Sequence, residues 1–258
     1  MNNYTTEIYK YLKIDKIKIE YYDTLPSTNL LLKEKARTEN EGLVVIANNQ
    51  TAGRGRFNRR FYSPEDCGIY MSILLKPHLG AFDATLITTA AAVVVAEAAE
   101  RLSGKKTEIK WVNDVLIDGK KICGILTEGS INSNTLCPHY VVLGIGINAF
   151  LPKNGFDGEI KDIAGYVFDT ESEELKARLT AEVINKFFEY YKALENKAFL
   201  KSYREKSCVI GKEIFVIKGD NPIKAIALGI NDDLSLRVKY ADLSTENLNS
   251  GEISIKLR

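Results

Sequence analysis

Histidine and cysteine are scarce in this 258-residue chain, and their scarcity removes several chemistries at once. Only His78 and His139 are present, too few to expect a His-ligated metal site or a Ser-His-Asp triad. The four cysteines, Cys67, Cys123, Cys137 and Cys208, include no CxxC pair, so zinc and dithiol readings have no support. No GxxxxGK(S/T) P-loop occurs, and no GxGxxG follows a strand and opens a helix. The longest unbroken apolar run, Ala90 to Ala96, falls far short of the roughly 20 residues a membrane-spanning helix needs. The N-terminal MNNYTTEIYKYLK lacks an apolar core and a cleavage site, so no secretion signal is read there. An excess of one charge is missing too: 35 Lys and Arg face 34 Asp and Glu, a net charge of +1. That balance excludes a polycationic nucleic-acid coat or an acidic tail, though not a local patch. The expectation is a cytoplasmic protein with reduced thiols and no membrane association.

What is present describes a folded protein. Hydrophobic residues make up 45% of the chain and charged ones 27%, enough apolar side chain for a sizeable core. At roughly 150 residues per domain the length predicts one large domain and a small one. Ile14 to Tyr22 alternates like a half-buried strand, and Ser27 reads as the N-cap of a helix running to about Arg37. Leu43 to Ala47 and Gly68 to Leu75 are strands, and Thr51 to Ser63 between them is a loop. Thr85 to Leu102 is apolar on nearly every face, hence a buried helix, ended by Ser103-Gly104. Strands follow at Thr107 to Trp111, Val115 to Asp118, Ile122 to Glu128 and Tyr140 to Asn148, with a hairpin turn at Asp118-Gly119. A loop-rich connection covers 149–170. Leu175, Leu179, Val183, Phe187 and Tyr191 mark one face of a long helix, and a short helix covers Phe199 to Glu205. From Val209 the period is two, predicting four or five short strands in a small barrel or sandwich. The boundary falls near Ser207, giving domains at 1–207 and 208–258.

Charge becomes informative locally. The chain holds 25 lysines and only 10 arginines, yet Arg54, Arg56, Arg59 and Arg60 fall within seven residues, and no lysine occurs between Lys35 and Lys76. Arginine's planar fork binds carboxylate or phosphate bidentately, which lysine cannot do. Gly53 and Gly55 allow close backbone approach to a ligand. An anionic substrate such as a nucleoside triphosphate suits this loop. A solvated basic loop is a second reading, and a nucleic-acid contact with Phe57 and Phe61 as stacking faces is a third. No second basic block supports the nucleic-acid reading.

Other segments carry weaker signals. Lys110-Trp111-Val112-Asn113-Asp114 places a cation, an amide and a carboxylate at a strand end; by itself it reads as an Asn-Asp turn beside a core Trp. Gly144 and Gly146 leave one strand face without side chains, either for a ligand or for packing against the Ala-rich helix. Ser27-Thr28-Asn29 reads as a cap, and Gln50 and Lys121 as surface residues. No acid–base pair is visible by spacing.

Together these segments resemble one family. Gln50-Thr51-Ala52-Gly53-Arg54-Gly55-Arg56 looks like the biotinyl-adenylate loop of biotin–protein ligases. Ser27-Thr28-Asn29 matches their STN motif, and residues 110–114 are similar to KWPND. Lys121 to Leu126 resembles K-x-x-G-I-L, Gly144 to Asn148 the GxGIN strand, and Gly251-Glu252-Ile253-Ser254 the GEIS near the C-terminus. Six motifs in the family's order are specific where each singly is weak. Departures are small: Val112 replaces the usual Pro, Phe57-Asn58 interrupts a loop often richer in Gly and Arg, and Phe61 stands where some members have Trp.

The resemblance implies an α+β fold: a mixed β-sheet catalytic domain flanked by helices, like class II synthetase-like biotin/lipoate ligases, plus a small C-terminal SH3-like β-barrel. It implies ATP and biotin as substrates with Mg²⁺. Biotin's carboxylate would attack the α-phosphorus of ATP, giving biotinyl-5′-AMP and pyrophosphate. A lysine of a biotin carboxyl carrier protein would then displace AMP. Catalysis by positioning and charge neutralisation explains why no acid–base pair is visible. By motif position, Ser27, Thr28, Asn29 and Gln50 contact biotin, as do Gly53, Arg54, Gly55, Arg56, Lys121 and Gly124, while Gly144 and Gly146 leave room for it. Arg56, Arg59, Phe61, Lys110, Trp111, Asn113 and Asn148 fall to ATP. Arg56, Lys121 and Asp114 are the catalytic candidates, with Asp114 serving the metal or the incoming lysine. About 13 residues precede the first strand, too few for a winged helix-turn-helix, so no DNA binding or repression is expected. A homodimer is expected. The neighbouring possibilities are a lipoate–protein ligase, and a nucleic-acid-binding module built on Arg54 to Arg60.

Overall fold

A computed structural model describes residues 2–77, 84–131, 138–218, 221–249 and 252–255. His78, Cys137 and Gly251 lie outside the described residues. The chain opens with α1 (Asn3–Tyr11) and β1 (Lys18–Leu25), then α2 (Thr28–Lys35), β2 (Leu43–Gln50) and β3 (Gly68–Leu75). Next come α3 (Ala84–Ser103), β4 (Thr107–Lys110), β5 (Asp114–Ile117), β6 (Lys120–Ile131) and β7 (Pro138–Asn148). Two helices follow, α4 (Glu173–Tyr191) and α5 (Leu200–Glu205). The strands β8 (Glu213–Lys218), β9 (Asn221–Ile230), β10 (Leu236–Tyr240), β11 (Thr245–Leu248) and β12 (Glu252–Ile255) complete the fold.

The first seven strands form one sheet in the order β1-β2-β3-β7-β6-β5-β4. Only β1 and β2 run parallel, so the sheet is mixed, as expected. Its two faces differ in what covers them. Val44, Ile46, Ile69, Ile73, Leu143 and Ile145 join side chains of α1, α3 and α4 in one buried cluster, and the Ala- and Val-rich length of α3 is buried on nearly every side. On the opposite face Leu43, Val45, Leu74 and Val142 meet Leu32 and Ala36 of short α2, with Tyr22, Leu25, Leu31 and Tyr140 packed against them. An eight-residue helix cannot cover that face. Gly144 of β7, in register with Leu126 of β6, sits under Asn29 at the start of α2, and beyond it the face continues to Gly146, in register with Gly124.

Turn chemistry fixes the strand connections. Asp118 and Gly119 both have positive φ, 51° and 74°, as a type I′ hairpin turn demands between β5 and β6. Gly104, at φ 72°, ends α3 by returning its N–H to the Glu100 carbonyl at 2.8 Å.

Two local expectations differ from the structure. The N-terminal segment, where the sequence reading places no element, is helical: Asn2 caps α1 by accepting from the Thr5 N–H, and Tyr4 and Ile8 are buried, with Tyr4 and Thr180 of α4 sharing a hydrogen bond of 2.7 Å. A nine-residue helix with three buried positions is specified by that docking more than by its own periodicity. Ser27 stands at the start of α2 but makes no capping bond, so the cap reading of its side chain does not hold.

The last five strands form an antiparallel sheet in the order β11-β10-β9-β8-β12. Its Leu234 carbonyl accepts the indole N–H of Trp111 at 3.0 Å, and Arg204 of α5 donates to the Ile230 carbonyl and to Asp232. The second sheet is thereby fastened beside the turn that joins β4 to β5.

Candidate active site

The uncovered sheet face opens into a cleft of about 1180 Å³. The segments that were far apart in sequence meet there. Ser27, Thr28 and Asn29 come from the start of α2, and Gln50 from the end of β2. Gly53, Arg54, Gly55, Arg56, Arg59 and Phe61 come from the arginine loop. Lys110, Trp111, Asn113 and Asp114 come from the β4–β5 turn, Lys121 and Gly124 from β6, and Gly144, Gly146 and Asn148 from β7. Every candidate site residue lines this one cleft.

The arginine loop is more regular than its sequence. Gly55 N–H donates to the Arg59 carbonyl at 2.8 Å and Phe61 N–H to the Gly53 carbonyl at 3.0 Å, with Arg54 and Arg60 bridged antiparallel. It is a small hairpin whose tip is a single turn at Arg56–Asn58, where Phe57 has φ 55°. A side chain on Gly53 is excluded, since a Cβ would lie 2.4 Å from the Phe61 carbonyl. Arg56 reaches across the cleft and donates to Asn113 Oδ1 at 3.3 Å. Asn113 itself donates to the Ile125 carbonyl, which fixes its amide. Trp111 is nearly buried, its N–H already given to Leu234.

Lys121 Nζ and Asp114 Oδ1 are 2.6 Å apart. The pair joins adjacent strands and puts one cation and one carboxylate at the cleft wall. Lys121 Nζ also stands 6.0 Å from the centre of the Phe61 ring. That ring rests on the glycine floor: a Cβ on Gly146 would lie 2.5 Å from it, and one on Gly124 would lie 3.0 Å away. Beneath Gly144 the space belongs to Asn29, whose Oδ1 would be 2.2 Å from an added Cβ.

Gln50 is the polar node at the other end. Its Oε1 accepts from Thr28 N–H at 2.9 Å and from Thr28 Oγ1 at 3.2 Å, while its Nε2 donates to Ser63 Oγ at 3.0 Å. The backbone donor at Thr28 sets the orientation of the amide. Asn29 Nδ2 donates to Glu128 at 2.8 Å, and Lys33 pairs with the same carboxylate. Burial opposes ionisation of Glu128, but these two partners outweigh it and hold its pKa below the ordinary carboxylate value.

Several contributors carried no sequence signal. Phe156, Asp157, Glu159, Ile160 and Ile163 form a wall of the cleft from the connection read only as loop. That wall is pinned by Lys121, whose N–H donates to the Ile163 carbonyl and whose carbonyl accepts from Gly165 N–H. Ile253 enters from the second sheet. Among the described residues no three His, Cys, Asp or Glu side chains come together as a metal site, and no helix is long and apolar enough to cross a membrane.

Two family models match the chain: the biotin/lipoate A/B protein ligase family over residues 21–148, and the biotin protein ligase C-terminal domain over residues 209–256. The chain belongs to the biotin/lipoate A/B protein ligase family. The first match ends at Asn148, the end of β7, and so includes both walls of the arginine loop and the glycine floor. Among relatives, the bifunctional ligase/repressor BirA of Bacillus subtilis is 35% identical over 222 residues, which are 84% of this chain and 62% of that protein. The biotin–[acetyl-CoA-carboxylase] ligase of Mycobacterium tuberculosis is 28% identical, covering 80% of this chain and 77% of its own. The structure of biotin protein ligase from Aquifex aeolicus in complex with biotin and ATP superposes with a TM-score of 0.76 at 25% identity, over 93% of this chain and 99% of that one. The family fold therefore includes both sheets.

Proposed function

We propose that this family member is an ATP-dependent biotin–protein ligase: it activates biotin as biotinyl-5′-AMP and transfers the acyl group to a lysine of a biotin carboxyl carrier protein. The observation that carries the reading is the convergence of the arginine hairpin, the Lys121–Asp114 pair and the Gln50–Thr28 node on one cleft of the biotin/lipoate ligase fold. The Mycobacterium and Aquifex relatives support biotin as the acid. In the first step a carboxylate must approach a triphosphate, and like charges repel. Arg54, Arg56, Arg59 and Lys121 neutralise that charge as it develops on the phosphate oxygens. Gln50, Thr28 and Ser27 hold the polar ureido ring at the opposite end, so the carboxylate is presented toward the arginines. Asn113, fixed by Ile125, contacts the adenine, together with Lys110, Trp111 and Asn148. In the second step the acceptor amine attacks the acyl carbon and AMP leaves. Asp114, paired with Lys121 at the cleft wall, would serve either that incoming lysine or the metal.

Three carboxylates line the cleft, Asp114, Asp157 and Glu159, and Mg²⁺, which dehydrates reluctantly, needs only one or two carboxylates plus substrate phosphates. Asp114 would hold it there, and bound Mg²⁺ supplies further neutralisation of the triphosphate. We assign catalysis to 1–207 and closure of the nucleotide end to 208–258. A homodimer belongs to the same reading and rests on the family resemblance.

The test is ATP–pyrophosphate exchange by the purified protein in Mg²⁺, with biotin, lipoate or neither. Biotin-dependent exchange is expected. Exchange with lipoate alone would move the protein to the lipoate branch, and none with either acid would defeat the ligase reading.

A further inference from the structure

The acid-binding end of the cleft rests on Ser72 and Glu128, which do not themselves line the cavity. Ser72, on β3, is fully buried. Its hydroxyl donates to Asn29 Oδ1 at 2.6 Å and meets Thr28 Oγ1 at 2.7 Å. The Asn29 amide is then fully engaged, because Nδ2 donates to Glu128 at 2.8 Å and to the Leu126 carbonyl at 3.4 Å. Glu128 is gripped in turn by Lys33, four residues along α2. The helix start is not fixed locally, since Ser27 makes no capping bond. Its placement comes from Gln50, which accepts the Thr28 N–H, and from below, through Ser72 and Glu128.

We propose that Ser72 and Glu128 are positioning residues for recognition of the acid: by clamping Asn29 and Thr28 they aim the first turn of α2, with Ser27 and Thr28, at the ureido ring. This rests on the biotin reading above. It reassigns Asn29 from ligand contact to strut. Gly144 is then required because Asn29 fills the space over it, not only to leave room for biotin. A buried serine and a glutamate on strands that flank the glycine floor are invisible as site residues in sequence, because neither adjoins a motif residue of the same role.

Biotin titrated calorimetrically into the full chain, together with the biotin and ATP dependence of pyrophosphate exchange, tests this in Ser72→Ala and Glu128→Met. Each is expected to raise the Kd and KM for biotin roughly tenfold, as orphaning a buried polar partner does, with kcat and the KM for ATP held within about twofold. Ser72→Cys and Glu128→Gln, which keep size and part of the hydrogen bonding, are expected to recover much of the loss. Unchanged biotin affinity in Ser72→Ala and Glu128→Met would overturn the positioning role and leave the ligase reading standing. Parallel losses for biotin and ATP, without rescue, would mark a general packing fault and overturn it as well. A wild-type protein that binds no biotin would overturn both.

Discussion

Arg56 joins the two halves of the proposed chemistry, because it belongs to the arginine hairpin and touches Asn113 of the β4–β5 turn. Its planar fork can hold Asn113 on one side and a phosphate or acyl oxygen on the other, which an ammonium cannot do in the same geometry. Arg56→Ala is therefore expected to lower biotin-dependent pyrophosphate exchange by about 100-fold or more, the scale of removing one preorganised donor from a developing oxyanion. Arg56→Lys should remain severely impaired. Steady-state exchange rates for the two variants check this, and near-normal activity of the lysine form would deny the bidentate role. At this scale the sequence was legible wherever residue type alone carries meaning. Four arginines in a lysine-rich chain stand out by composition. Ser72 does not, because a serine in an apolar strand acquires its role only from what the fold sets beside it.

At the scale of elements, α2 is held to β1 as well as to the floor of the cleft. Burial works against ionisation of Glu20, but Lys35 of α2, Lys18 and the Tyr22 hydroxyl outweigh it and hold its pKa down at about 2, from 4.5 unperturbed. The folded state thus binds this proton less readily than the unfolded chain. Its contribution to stability is fully present above 4.5 and is lost as pH falls through about 2. Glu20→Gln removes that contribution, so its stability is expected to fall less steeply than wild type on acidification below 4.5. Urea unfolding at stepped pH measures the two slopes, and equal slopes would show the pair to be idle. Periodicity located most helices and strands, since α3, α4 and the sheet strands bury whole faces. It missed α1, whose burial comes from contact with α4, about 170 residues away in sequence.

For the whole molecule the consequence is a cleft closed from three directions: the arginine hairpin, the wall at 156–164 and Ile253 of the second sheet. The hairpin is tied to the body by Thr51 N–H, which donates to the Leu25 carbonyl, and Ala52 N–H, which donates to the Pro26 carbonyl, while its tip at Arg56–Asn58 projects, with Phe57 largely exposed. Trypsin is expected to cut within 56–60 in the free protein. Biotin with ATP is expected to slow that cut by about tenfold, because ordering a binding segment removes the open conformer a protease needs. Digestion time courses followed by mass spectrometry report the site and the rate. Cleavage elsewhere first, or no protection, would count against ordering of the hairpin by ligand.

The sequence by itself determined the chemical vocabulary of this protein: a glycine-arginine loop, a hairpin at Asp118-Gly119, a glycine-bearing strand and six motifs in family order. These are local properties, set by backbone freedom, charge type and spacing. Tertiary structure alone decided that they share one cleft, that Asn29 lies over Gly144 and Phe61 over Gly146, and that Ser72 and Glu128 hold the start of α2. The physical reason is register. Pairing β3, β7 and β6 sets Ser72, Gly144 and Leu126 side by side on one face, and no spacing along the chain records which residues a sheet will make neighbours.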